Sequence, residues 1–562
     1  MAENGPASTR AGQVVDVIGN PAAGEKNQAT GRIRSWAGRI TQAVMARQAG
    51  VRRHAFEDLM RTVSSIATAS LLLVSLLCLP ACAAQPPSEA AAIPAPIDAP
   101  IPAAALREDL DTLYAQLQAA HYDLFARRAK VDYDALYTTM RSELDTPLSR
   151  QEAQLRFTRF VAFGRVAHAR IDLPFERWGV FREDGGRALP LTLRVDGEDV
   201  FVLQQTSGAP GIARGDRVLA IDGQPALAWM RNMGELIAAD TDYLLYAQME
   251  RLLPLLVWLQ LGEIDGIQLT LADDAGMPRT AWLPARTRAE VAATEASLAE
   301  AHDPDLPSRD ARMLNDGVAY LRPGPFYDDR PDAADPWDRS AFRTFIDQAF
   351  AGFLADGATD LLIDLRDNPG GDNSFSDLLL AWIADAPFRF SPAFDIRVSE
   401  ATVASNRARL EGQTADTGSA SADLARLYDG TPPGSHVAYA IPLVAPREGP
   451  RFAGRVHVLV NRHSYSNAVS VAAIVQDYGF GRVLGEETAD LATTLGAMEH
   501  FTLPHTGLTV GYPKARIVRP NGRLAPRGVV PDVMLATPRV ASGADPVLQD
   551  ALDAIVRDAG DP

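Results

Sequence analysis

Two stretches of the chain bring apolar strand-like runs into turns whose residue types could support chemistry. Residues 361–372 read L-L-I-D-L-R-D-N-P-G-G-D. Paired glycines permit positive φ and let a backbone come close to a ligand. Gly370-Gly371 is therefore either a plain turn or a place where main-chain N–H groups form an anion-binding hole. Residues 456–479 read V-H-V-L-V-N-R-H-S-Y-S-N-A-V-S-V-A-A-I-V-Q-D-Y-G. Ala468, Val471, Ala472 and Val475 fall on one helical face. Ser466 stands just before that helix, where serine is favoured as an N-cap. It could equally be a nucleophile, with the N–H of Asn467 helping to bind an oxyanion at the helix start. His463 lies three residues before it, on the strand end, and is expected to point elsewhere. No H-E-x-x-H, G-x-S-x-G or P-loop pattern occurs, so metalloprotease, ordinary α/β-hydrolase and nucleotide-hydrolase readings have no support.

The elements that must position these groups can be read from periodicity. Residues 318–321, 361–365 and the alternating Val456, Val458 and Val460 predict strands. Residues 340–354 predict an intervening helix with Ser340 as N-cap. Upstream, residues 188–285 read as strand-rich. Within them residues 211–225, G-I-A-R-G-D-R-V-L-A-I-D-G-Q-P, carry a hairpin signal at Asp222-Gly223. This segment resembles the G-D-x-I-x-x-I-D-G stretch of PDZ domains. Residues 105–180 read as helical: Leu106, Leu110, Leu113 and Leu117 share a face, and Ser149 with Glu152 makes a capping box. Residues 400–450 are polar and rich in Ala, Ser, Gly and Pro, as expected of a lid or surface insertion.

Composition narrows the function classes. The 562 residues are 47% hydrophobic and 22% charged, which is a folded rather than a disordered chain. A net charge of −17 argues against nucleic acid as a partner. Cys78 and Cys82 are the only cysteines, so neither a disulfide framework nor a cysteine zinc site is expected. Residues 63–81 carry no charge, follow Arg61 and lead into P-A-C-A-A-Q. That is the pattern of a secretory signal, too short in its apolar centre for the ~20 residues of a membrane span. The L-P-A-C site resembles a bacterial lipoprotein signal, with Cys82 lipidated. The alternatives are cleavage after Ala83 or Ala84, or a single membrane anchor. The expected location is the bacterial cell envelope, in the periplasm or anchored at the outer membrane. Met60 is the expected true start, with residues 1–59 an over-long gene call. Residues 83–104 are a stiff Pro/Ala-rich linker.

Taken in order, the blocks D-L-R-D-N-P-G-G (364–371), S-Y-S-N-A (464–468), Q-D-Y-G (476–479), G-E-E-T (485–488) and G-V-V-P-D (528–532) resemble the C-terminal processing, or tail-specific, serine peptidases. The resemblance implies a crotonase-like α/β core of stacked β-β-α units at 301–540. Ahead of it would stand a helical region at 105–187 and a PDZ-like β-rich domain at 188–300, with a tail at 541–562. It implies Ser466 as nucleophile, Asn467 and Gly370 or Gly371 as oxyanion donors, a peptide or protein substrate, and neither cofactor nor metal. The chain departs from the family at the general base. The usual lysine position is Leu491, and Lys514, expected to be a solvated strand residue, is the only lysine downstream of Ser466. The tricorn-like and retinoid-binding-protein-like branches lack that lysine, and the tricorn-like pattern places a histidine base where this chain has His168. A glutamate expected before G-V-V-P-D falls near Ala525, leaving Glu486, Glu487 and Asp490 as stand-ins for the orienting acid. Without acid and lysine, the alternative is a weak or inactive peptide- or apolar-ligand-binding lipoprotein on the same fold.

Overall fold

The computed structural model describes residues 99–559, apart from 274–275, 298–307, 315–316, 412–418 and 541–544. The chain divides into two units, Met1–Ser35 and Trp36–Pro562, and every described residue belongs to the second. The signal, Cys82, the proposed start and most of the linker lie outside the described residues.

The chain opens with helices α1 (Ala103–Ala120), α2 (Lys130–Glu143) and α3 (Arg150–Ala162). Leu106, Leu110, Leu113 and Leu117 are fully buried on α1. The capping box at the start of α3 forms in both directions between Ser149 and Glu152. Strand β1 (Arg170–Ile171) and helix α4 (Phe175–Glu183) follow.

Next come β2 (Leu191–Asp196), β3 (Asp199–Gln205), β4 (Arg217–Ile221), β5 (Gln224–Pro225), α5 (Ala226–Met233), α6 (Asp242–Leu261), β6 (Gly266–Ala272) and β7 (Pro278–Pro284). Asp222 and Gly223 both take positive φ, 47° and 77°, and close the two-residue turn between β4 and β5. The six strands form an antiparallel sheet in the order β2-β3-β4-β6-β7, with β5 on β4. The region is less purely strand than its sequence suggests. The 20-residue α6 crosses it, with buried residues round most of its girth and Pro254 inside, packed against the sheet. A helix buried round most of its girth has little amphipathic period to read.

Helix α7 (Arg288–Ser297) leads to the remaining elements: β8 (Asp310–Met313), β9 (Val318–Arg322), α8 (Ser340–Ala355), β10 (Asp360–Asp364), α9 (Asn373–Ile383), β11 (Phe394–Arg397), α10 (Glu400–Glu411), α11 (Ser419–Tyr428), β12 (His436–Tyr439), β13 (Arg455–Val460), α12 (Asn467–Tyr478), β14 (Arg482–Gly485), β15 (Thr494–Thr502), β16 (Thr509–Ile517), β17 (Val533–Met534) and α13 (Pro546–Ala559). Strands β9, β10, β13, β14 and β17 are parallel in one sheet, with β8 antiparallel at its edge. Leu361 and Ile363 face α8, α9 and α12, whereas Leu362 faces α13. That alternation is the period of two of a strand covered on both sides. A third, antiparallel sheet runs β1-β16-β11-β12, with β15 on β16, and its Val510 and Tyr512 pack against α1 to α3.

Two local expectations change, and a third narrows. Ser340 is the first residue of α8, and its N–H and Oγ both donate to Asp338 Oδ1, so the aspartate does the capping. Of the two readings of residues 400–450, the described residues fit a packed insertion better than a detached lid: β12 is hydrogen-bonded to β11, and Tyr428 packs with Ile396, Val398 and Ala515. Lys514 is buried in β16, ion-paired to Glu499, because Glu499 and Arg409 form a charged cluster there.

Candidate active site

The parallel sheet brings the two glycine- and serine-bearing turns together because β10 and β13 are adjacent strands that end at the same edge. Main-chain and side-chain hydrogen bonds then stitch the turns to each other. Tyr465 N–H donates to Asn368 O at 3.0 Å, Ser464 Oγ to Leu365 O at 2.8 Å, and Asp367 N–H to Asn461 Oδ1 at 3.1 Å. Gly370, at φ 82°, lies so close that a Cβ there would be 2.6 Å from Tyr465 O, 2.7 Å from Asn467 N and 2.8 Å from Ser466 Cβ. Gly371, at φ 136°, passes closer still, with a Cβ there 2.3 Å from Phe326 O. Both glycines are required by this approach.

Ser466 is the residue before α12, yet its side chain makes no capping bond. Its backbone is at φ 52°, ψ −120°. A non-glycine residue held there stores about 1–3 kcal/mol and persists only where the surroundings impose it. Ser466 is partly exposed, within a wall of buried residues from Ser464 to Val469. The N–H of Gly370 is already given to Asn368 Oδ1 at 2.9 Å. The N–H groups of Gly371 and Asn467 have no acceptor among the described residues.

His168 comes from the loop between α3 and β1. Its ring stacks on the ring of Tyr465, the neighbour of Ser466, with centroids 5.5 Å apart and planes 23° apart. Two further contacts fix this loop: Tyr465 Oη reaches Ala167 O at 3.5 Å, and Ala167 N–H donates to buried Asp240 Oδ2 at 3.1 Å. Burial, then the nearby Arg170 charge, pushes the imidazole down to about 4. The Leu495 main chain hydrogen-bonds to the ring and works against this, and the ring is neutral at ordinary pH. His168 Nδ1 is buried and has no partner among the described residues.

The other candidates are engaged elsewhere. His463 Nε2 meets Glu250 Oε2 at 2.9 Å. Glu486 bonds to Arg462 at 2.6 Å and Arg194 at 3.0 Å, and Glu487 bonds to Arg527 at 2.7 Å. Asp490 is fully buried; its Oδ2 accepts the Ser466 N–H at 2.6 Å and its Oδ1 the Leu491 N–H at 2.9 Å. The hydrogen bonds of all three acids go to these groups and not to His168. Asp240 and Tyr465 were not legible as site residues. Asp240 lies in an unremarkable A-A-D-T-D run, and Tyr465 carries no signal beyond its neighbour.

Residues 337–535 match the model of peptidase family S41. The chain carries a peptidase family S41 domain. That match makes it a serine-type peptidase, for which peptides or proteins are the implied substrates. The S41 match includes Gly370, Gly371, Ser466 and Asn467, while His168 lies outside it. Among solved structures, mature CPAF is similar over 77% of this chain and 93% of its own, at 17% identity and a TM-score of 0.51. The photosystem II D1 C-terminal processing protease matches over 77% and 92% at 17% identity, with a TM-score of 0.38. The tricorn protease matches over 82% of this chain and 37% of its own at 14% identity, with a TM-score of 0.35. No curated protein matches the chain in sequence. The CPAF likeness supports the α/β core with a helical N-terminal region and a β-rich second region.

Proposed function

We propose that the chain is a tail-specific serine endopeptidase that works through an acyl-enzyme on Ser466, with His168 as general base. The Ser466 hydroxyl attacks the peptide carbonyl while the imidazole takes its proton. The Asn467 and Gly371 N–H groups receive the developing oxyanion; losing one such donor typically costs about 3–4 kcal/mol in the barrier. His168 then gives the proton to the leaving amine, and water releases the acyl group by the same route. The observation that carries this reading is the stacking of His168 on Tyr465, beside a strained serine packed against Gly370.

Among the described residues the His168 ring meets the Leu495 main chain but no acid, and this has a consequence. An imidazole with no acid to fix its tautomer is a poor base; loss of that acid in a Ser-His-Asp triad lowers kcat by about 10⁴. Slow turnover is expected, and the same feature favours the rival reading of a peptide- or apolar-ligand-binding protein. Hydrolysis of an unstructured protein by the full chain separates the two. Ser466→Ala should abolish it, and His168→Gln should lower kcat by about 10²–10⁴-fold. Cleavage undiminished in Ser466→Ala would refute the nucleophile, whereas binding of the peptide without any cleavage would support the rival.

The envelope location and the lipid at Cys82 are part of the same proposal and rest on the sequence of residues 63–82. No helix among the described residues is long and apolar enough to cross a membrane. A lipid mass on the peptide beginning at Cys82 supports the anchor, and an unmodified Cys82 in protein from the envelope contradicts it.

A further inference from the structure

Several acids around the two catalytic turns are paired to cations: Glu486 to Arg462, Glu487 to Arg527 and Asp367 to Arg251; Asp372 instead caps the Ser374 amide, and Asp377 bonds only the Asn373 side chain. Asp490 also has no cation partner among the described residues. Its partners are main-chain N–H groups, those of Ser466 and Leu491, and it has no exposure to solvent. A buried carboxylate without a counter-ion is costly, so its placement calls for a reason. It bonds the amide of the one residue in this turn whose backbone is strained.

We propose that Asp490 is a positioning residue, whose ionised carboxylate grips the Ser466 amide and holds the turn that presents the Ser466 hydroxyl. This rests on Ser466 being the nucleophile. A charge-assisted bond contributes about 1.5–3 kcal/mol, comparable to the ~1–3 kcal/mol cost of the backbone conformation. The ionised form accepts most strongly from both amides. A protonated acid keeps only a weaker acceptor at its hydroxyl oxygen, and an amide in its place sets an NH2 donor against one N–H.

The proposal makes the turn sensitive to pH. Burial pushes Asp490 up to about 7, the Ser466 N–H works against this, and Asp240 adds to it. The titratable and charged groups around it are Asp240 ahead of α6 and Tyr465 before α12, with Arg170 at the start of β1 and His168 stacked on Tyr465 beyond. His168 already loses its proton at about 4. An acid limb near neutrality would therefore belong to Asp490 and not to the base.

The test is the second-order rate of fluorophosphonate labelling of the full chain, followed from about pH 5 to about pH 9. Wild type should rise through an apparent pKa near 7. Asp490→Asn should label about 100-fold more slowly on the alkaline side, without that limb. In peptide hydrolysis it should lower kcat and leave KM in place. A flat wild-type profile, or Asp490→Asn labelling at the wild-type rate, would overturn the proposal. Should Asp490→Asn not fold, His168→Gln decides: a limb that persists there supports Asp490, and a limb lost there overturns it. Labelling that survives in Ser466→Ala would instead remove the nucleophile reading beneath it.

Discussion

Gly370 is the glycine that packs directly against the serine turn. An added methyl meets three atoms of residues 465–467 at 2.6–2.8 Å, and φ of 82° is itself unfavourable for alanine. Gly370→Ala is expected to lower stability by about 1–3 kcal/mol and to slow labelling of Ser466, read by denaturant unfolding and by labelling rate on one preparation. Asp490 has the opposite effect on stability from an ordinary paired acid. Its folded value lies above the usual 3.8, at about 7. The folded protein thus holds this proton more tightly than the unfolded chain, so the stability linked to it is full at low pH and is lost as pH rises from about 4 to about 7. The full change is on the order of 4 kcal/mol. Asp490→Asn should show a flatter stability curve than wild type across that window, and a parallel pair of curves would contradict this. Ser466 was legible as a helix-start serine with two possible uses. Its missing capping bond and positive φ are facts of the folded backbone that no residue pattern records.

At the scale of elements, the loop from β13 to α12 is held by a buried charge network. Arg462 joins Glu250 of α6 at 2.9 Å, Asp196 of β2 at 3.1 Å and Glu486 after β14 at 2.6 Å. The antiparallel sheet region is thereby tied to the segment four residues ahead of Ser466. Removing one member of a buried pair typically costs about 3–5 kcal/mol, since its partners stay charged and buried. Arg462→Leu should lower the unfolding midpoint by a shift of that size, and a change of only a few tenths of a kcal/mol would contradict it. Elements with clear periodicity were readable in the sequence, including the Leu106 to Leu117 face, the Ser149–Glu152 box and the parallel strands. α6 was not, because burial round most of its girth blurs the period and Pro254 argues locally against a helix. Lys514 was misread because its counter-charge, Glu499, lies on the neighbouring strand β15 of the same sheet, a pairing set by register and not by sequence spacing.

Over the whole molecule, the site depends on parts far apart in the chain. The loop holding His168 is fixed by Asp240, by Tyr465 and by the pairing of β1 with β16. The serine and its amide donors come from the parallel sheet some 300 residues later. Family blocks pointed to the serine, the glycines and the helix-start amide as site residues. The histidine was proposed only from its place in a pattern, and no acid contacts its Nδ1 among the described residues. The most direct measurement is to treat the full chain with a fluorophosphonate and locate the adduct by peptide mass spectrometry. The adduct should sit on Ser466 and form much more slowly in His168→Gln. An adduct on another serine, or one on Ser466 that forms at the same rate without His168, would contradict the pairing of these two residues.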